Sequence, residues 1–416
     1  MTGVVVVGAG LAGLAAAIRL AQGGAAVTVV AKGAGGLHLS PGTIDVLGYA
    51  PDRVEVPPDA LPPFLADRPD HPYARLAPEP LREALQWFRG LVPGLRYEGD
   101  PGRNMLLPTA VGAARPTALA PASIAAGELS DGGRLAVVGL RSLKDLYPGL
   151  VAENLSRANL PGGRAEARAV EVGWSARPGR ADVAGPVHAR GLDDPAERRR
   201  LAEELRPRIE PGETVLLPAV VGLARAAEAW EDLRDLVGAP VAEVPTVPPC
   251  VPGMRLQRAL TEALGAAGGR LVLGPDAVGV EGGSGRVTGV RVRQAARVRS
   301  LPADAVVLAT GGFASGGIEL DSRGGLRETV ADLPVLVEAG EARLSPRHLD
   351  PQPLMRSGLR VDDRMRPVGE DGAPVWTNLH AAGALLAGAE PWREKSGEGI
   401  CLAGAVAAAS AILEER

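Results

Sequence analysis

The chain has 416 residues, 46% of them apolar, and a formal net charge of −4. That supply of apolar side chains excludes intrinsic disorder, and the lack of a basic block excludes a nucleic-acid binder. Two cysteines far apart, Cys250 and Cys401, and five histidines without ligand spacing exclude a disulfide scaffold, an iron–sulfur cluster held by four of its own cysteines, and a structural metal.

The first chemistry lies at the N-terminus. Residues 4–7 are four consecutive valines, a run suited to a strand buried in a parallel sheet. Gly8-Ala9-Gly10-Leu11-Ala12-Gly13 follows at once, then an alanine-rich helix to Gln22 and a second apolar strand over residues 27–30. A strand, glycine turn, helix and strand in this order form a dinucleotide fingerprint. Gly8 permits the tight turn, Gly10 lets backbone approach a pyrophosphate, and Gly13 lets helix and strand pack closely. The N–H groups at the helix start, near Leu11 and Ala12, favour an anion.

The second strand ends on Ala31-Lys32-Gly33. Many FAD enzymes place Glu-Lys-Gly here, with the Glu bonding the adenosine ribose. The acid is missing, which weakens the adenosine half of the site and leaves the pyrophosphate half. FAD is the expected cofactor, bound extended and non-covalently, with Lys32 and N–H groups near Ala31 replacing the acid. FMN is the alternative, since it has no adenosine to recognise. The next loop holds His38, Leu39, Ser40, Gly42, Thr43 and Asp45. In related flavoproteins this loop lines the isoalloxazine, so Leu39, Ser40, Gly42 and Thr43 are expected to contact it. His38 suits proton transfer or a structural cap, and Asp45 a local backbone cap.

Residues 76–249 read as an inserted α+β cap or substrate domain, because they carry no second glycine fingerprint. Within it, residues 133–158 pair a strand with an amphipathic helix. Residues 193–211 form a charged helix with Asp194 as N-cap and Pro195 in its first turn, and residues 212–223 hold another buried strand. The proline-rich stretch 244–253 is the hinge back.

Residues 253–293 then read as helix, strand, turn and strand, with Leu256, Leu260 and Leu264 on one helix face. Backbone near Val278 is placed against adenine. "ADAVVLATGGF", residues 303–313, is a strand turning on Ala309, Thr310 and Gly311 beneath the nucleotide. After a short strand ending before Gly383, a helix beginning near Gly399, Ile400 and Cys401 aims its N–H groups at the flavin pyrimidine. Cys401 itself reads as a packing residue. The apolar residues 400–413 are too few to span a bilayer, and the N-terminal run lacks a basic leader, so the expected location is the cytoplasm.

The fold class expected is α/β: a Rossmann-like FAD-binding domain of the glutathione-reductase, two-dinucleotide-binding type, made of residues 1–75 and 250–416 and interrupted by the cap.

Five stretches carry a more specific resemblance: "GLHLSPGTIDVLG" (36–48), "HPYARL" (71–76), "LLPTAVGAARPTALAP" (106–121), "VPTVPPCVPGMRLQ" (244–257) and "GGFASGGIELDSRGGLRE" (311–328). In this order the chain resembles the B subunit of the anaerobic glycerol-3-phosphate dehydrogenase over nearly its whole length. The resemblance implies a flavoprotein in a complex that oxidises glycerol 3-phosphate to dihydroxyacetone phosphate. It also implies a sister flavin subunit and an iron–sulfur, membrane-associated subunit that passes electrons to quinone, placing this chain peripherally at the inner face of the membrane. Members of that family also tend to lack the strand-end acid. A phosphorylated substrate needs cations, and Arg115, Arg255, Arg323 and Arg327 lie in the family-like stretches. Two other readings stand beside this one: a stand-alone FAD-dependent dehydrogenase or reductase of another small acid, and a non-catalytic subunit with weakened flavin binding.

Overall fold

The computed structural model describes residues 3–337 and 344–415. Its N-terminal fingerprint folds as the sequence pattern requires: strand Gly3–Val7, helix Leu11–Gln22, strand Ala26–Ala31. These strands belong to a five-stranded sheet in the order Arg270–Leu273, Ala26–Ala31, Gly3–Val7, Ala305–Leu308, Leu379–Ala381, with every pairing parallel. Parallel neighbours need crossovers, and the chain supplies them with helices and with the whole insertion. Val4 to Val7 are buried on both faces of the sheet, which is why the run shows no alternation. Helix Val251–Ala266 buries Leu256, Leu260 and Leu264 and leads into strand Arg270–Leu273. A three-stranded antiparallel sheet follows, Asp276–Gly283, Arg286–Gln294 and Arg297–Pro302.

The C-terminal helix runs Gly397–Glu414, so it begins two residues before the expected start. By length and composition it could cross a membrane. Here it packs against Leu11–Gln22 and against helix Glu79–Leu91, and most of its residues are buried. Its apolar surface is spent on the core of the nucleotide sheet.

The insertion differs from expectation in two ways. Its main sheet, ordered Val241–Val244, Glu213–Pro218, Gly133–Leu140, Ala165–Val172, is wholly parallel, so helices and strands alternate rather than segregate. Its start is also displaced. Leu81, Leu85, Phe88 and Tyr97 share the core of the nucleotide sheet, whereas the cores around the second sheet draw on residues from Leu106 to Val251. Helix Glu79–Leu91 thus belongs with the nucleotide half, although it follows residue 75. The charged helix Pro195–Leu205 is capped as expected, the Asp194 side chain accepting from Ala196 N at 2.9 Å.

Candidate active site

The three fingerprint glycines are required for different reasons. Gly8 sits at φ +115°, and a Cβ there would lie 2.2 Å from the Ala309 carbonyl oxygen. A Cβ on Gly13 would lie 2.0 Å from the Gly8 carbonyl oxygen. Both are fixed by backbone packing. A Cβ on Gly10 would meet nothing within 4 Å. Gly10 is the N-cap of helix Leu11–Gln22 and offers no side-chain cap, so the helix start at Leu11 faces an open turn, while the Ala12 amide lies against the Cys401 thiol. That is the cradle a pyrophosphate needs.

Beside it, Ala31 is buried and its carbonyl accepts from Gly274 N at 2.9 Å, while Lys32 and Gly33 are exposed. Val278 is half-buried at a bulge, a register shift between Ala277 and Gly279 after which the pairing resumes.

Deeper in, Ala12, Ala309 and Ala382 form a small cluster with Cys401 against it. Gly383, at φ +76°, keeps the loop close: its Cβ would lie 2.8 Å from the Ala12 Cβ and 3.4 Å from Cys401 Sγ. The fingerprint helix, the turn through Thr310 and Gly311, and the C-terminal helix therefore meet at one place. Thr310 Oγ1 is buried there with no hydrogen-bond partner among the described residues. Burial, and then the charge of Glu398, push the Cys401 thiol up to about 12, so it stays protonated and packs. Because the helix starts at Gly397, the amides expected to face the flavin are already used. Gly399 N donates to the Asp45 carbonyl at 2.9 Å, and Ile400 N to the Ser396 carbonyl at 3.1 Å. An open glycine turn and an unpartnered hydroxyl at the convergence point suit FAD.

The loop after the second strand is held from below. Cys250 N donates to the His38 carbonyl at 2.8 Å, and Gln257 Nε2 to the Ala34 carbonyl at 2.7 Å. A Cβ on Gly253 would lie 2.0 Å from the Leu37 carbonyl oxygen. The family-like stretches 36–48 and 244–257 are thus one packed unit. Gly42 N donates to Ser40 Oγ at 3.1 Å, and Tyr97 donates to the Gly42 carbonyl. Leu39 stands out at 67% exposed. The half-exposed His38 ring makes no hydrogen bond among the described residues.

Above the loop lies a charged cluster that sequence reasoning missed. Asp45 is buried and forms an ion pair with Arg115 from strand Ala114–Thr117; it is not a backbone cap. The Thr43 hydroxyl lies 3.4 Å from the same carboxylate. Glu398, in the first turn of the C-terminal helix, faces the pair. Burial and then the Asp45 charge raise its carboxyl to about 7, with Arg115 opposing. Burial and then Arg115 lower the nearby Lys395 ammonium. Buried Tyr73 ties this end together through the Val46 carbonyl at 2.7 Å and the Ser396 carbonyl at 3.1 Å. The readable signal was an acid in the first turn of a buried helix, "KSGEGICL".

The other arginines lie elsewhere. Arg255 is buried with its guanidinium committed to Glu243 at 2.6 and 3.0 Å and to the Val221 and Gly222 carbonyls. It locks the hinge and presents no face to a substrate. Arg327 pairs with Glu319 on an exposed hairpin at 2.9 Å, and Arg323 lies in the same exposed turn. Only Arg115 of the four lies by the loop.

These parts make an FAD-dependent oxidoreductase, and the FAD binding domain family matches residues 3–400. The B subunit of the anaerobic glycerol-3-phosphate dehydrogenase of Yersinia pestis bv. Antiqua is 34% identical over 99% of this chain and 98% of its own length. A probable B subunit of the same enzyme from Halobacterium salinarum is 35% identical over 99% and 97%. Among solved structures, the 3-ketosteroid delta1-dehydrogenase of Sterolibacterium denitrificans is 12% identical and covers 100% of both chains at a TM-score of 0.45. The chain belongs to the family of anaerobic glycerol-3-phosphate dehydrogenase B subunits.

Proposed function

We propose that this chain is the flavoprotein subunit that oxidises glycerol 3-phosphate to dihydroxyacetone phosphate. A sister flavin subunit and an iron–sulfur, membrane-associated subunit complete the complex and carry electrons to quinone. The observation that carries this reading is the buried Asp45–Arg115 pair. It joins two family-like stretches, 36–48 and 106–121, over the loop assigned to the flavin. Bound FAD supplies a two-electron acceptor for a secondary alcohol. The chain supplies Arg115 as a cation for an anionic substrate. Glu398, raised to about 7 by burial and by the Asp45 charge, can hold a proton at neutral pH. Two cysteines, both buried or partly buried, with thiols pushed up to about 11 and about 12, are too few to hold a cluster, which agrees with the proposed division of labour in which an iron–sulfur partner carries the electrons onward.

One observation favours the non-catalytic alternative: the Gly399 and Ile400 amides are spent inside the protein. The experiment that separates the two is anaerobic addition of glycerol 3-phosphate to the purified complex. Bleaching of the flavin held by this chain supports catalysis here. A flavin that stays oxidised while that of the sister chain is reduced removes it.

A further inference from the structure

An open cavity of about 170 Å³ lies between the flavin loop and the insertion. Leu39, Pro41 and Thr43 form one wall; Arg115, Thr117 and Thr246 face them from the insertion. Arg115 and Thr117 are two apart on one strand, so both side chains project to the same face. Three buried polar atoms here have no hydrogen-bond partner among the described residues: Arg115 Nε, Thr117 Oγ1 and Thr246 Oγ1. A buried donor or hydroxyl left unpaired costs about 1–3 kcal/mol, so three on residues that line one cavity mark a place where a small side-chain turn would give each a polar ligand as partner.

The chemistry of that molecule follows from the donor set. A guanidinium N–H only donates, so it needs an acceptor oxygen. A threonine hydroxyl both donates and accepts, and the group that matches it best is another hydroxyl. The apolar walls from Leu39 and Pro41 suit the carbon chain between them. In volume, a cavity of about 150 Å³ accepts a six-carbon ring. The six heavy atoms of a three-carbon triol therefore fit, with a phosphate at the open mouth.

We propose that this cavity is the polyol subsite of the substrate, with Thr117, Thr246 and Arg115 as its hydrogen-bonding residues. The proposal rests on the function proposed above and names the residues that select a small phosphorylated polyol.

The test uses Thr117→Val and Thr246→Val in the FAD-loaded complex, since valine keeps the shape and removes only the hydroxyl. Two quantities are read: the affinity for dihydroxyacetone phosphate, which binds without being oxidised, and the KM for glycerol 3-phosphate. Each variant is expected to weaken binding and raise KM roughly tenfold, with flavin content unchanged. Its thermal midpoint should equal or exceed the wild type's, because an unpaired buried hydroxyl has gone. Thr117→Ser, which restores a hydroxyl, should recover most of the affinity even if a valine variant folds badly. Wild-type affinity in both valine variants, with the wild-type complex still reduced by glycerol 3-phosphate, would overturn the subsite and leave the function standing. A lowered midpoint without a change in affinity would also overturn it. A wild-type complex that neither binds the ketone nor is reduced by the alcohol would overturn the function, and the subsite with it.

Discussion

Replacing Gly10 with valine should empty the site of flavin while sparing the fold, and replacing Gly13 even with alanine should do the reverse. The distinction comes from what each new Cβ meets. At Gly10 there is no atom within 4 Å. The stability cost there is that of a poor N-cap, about 1 kcal/mol. The valine methyls would instead stand where a pyrophosphate must approach the helix start. Losing two charge-assisted hydrogen bonds at about 1.5–3 kcal/mol each weakens the nucleotide roughly 10²- to 10⁴-fold. At Gly13 the new Cβ falls 2.0 Å from the Gly8 carbonyl oxygen, which is backbone and cannot rotate away. Overpacking of that kind costs about 1–3 kcal/mol, offset by less than about 1 kcal/mol of helix propensity. The assay is the ratio of flavin to protein absorbance after purification, paired with a urea midpoint. Full flavin occupancy in Gly10→Val, or a wild-type midpoint in Gly13→Ala, would refute the reasoning.

Arg255→Ala leaves Glu243 buried without its partner and should cost about 3–5 kcal/mol in urea unfolding. Arg327→Ala, on the exposed hairpin, should cost less than about 1 kcal/mol in the same measurement. Glu398 has its folded pKa raised from 4.5 to about 7, so the stability it contributes is complete below about pH 4.5 and is lost as pH rises through 7. The thermal midpoint of the FAD-loaded protein should therefore fall from pH 5.5 to 8.5, roughly, and fall less in Glu398→Gln. An identical slope in both would argue against the raised carboxyl. Native protein at about pH 8 should resist alkylation at Cys401, whose thiol burial pushes up to about 12; rapid mass labelling at that residue would contradict its assignment as packing.

What the sequence made legible was backbone chemistry local in the chain. The glycine turn, the valine strands and the helix stripe of Leu256, Leu260 and Leu264 each follow from a short-range rule, and each appears where expected. The insertion was harder, because an alternating pattern of short strands and helices does not declare how its strands pair. Its sheet order places Gly133–Leu140 between two later strands, a fact of tertiary packing. The charged cluster was harder still. Asp45 and Arg115 are 70 positions apart and Glu398 is near the other end of the chain, so no local pattern joins the three charges. Arg255 shows the converse. It lies in a family-like stretch, yet its carboxylate partner is 12 residues upstream and holds the hinge. Residue type alone gives the four arginines one expectation; only burial and partners separate them.

The missing ribose acid is best understood through the same separation of local and distant terms. Ala31 removes one hydrogen bond to a charged acceptor, worth about 1.5–3 kcal/mol, and changes nothing in the turn beside it. The constraints that remain all serve a dinucleotide. Gly8 and Gly13 are held glycine by contacts of 2.2 and 2.0 Å that bring the helix start against the strand ends. The Gly274 amide ties the next strand to the Ala31 carbonyl, leading the chain to Val278, where the sequence reading expects adenine. FMN has neither pyrophosphate nor adenine, and it would leave both features without a ligand. FAD would use both, together with the loop after the second strand, which is held over Cys250 and Gly253. A site can lose its strand-end acid and keep its cofactor because the acid contributes affinity, whereas the packed glycines determine the shape that the dinucleotide fits.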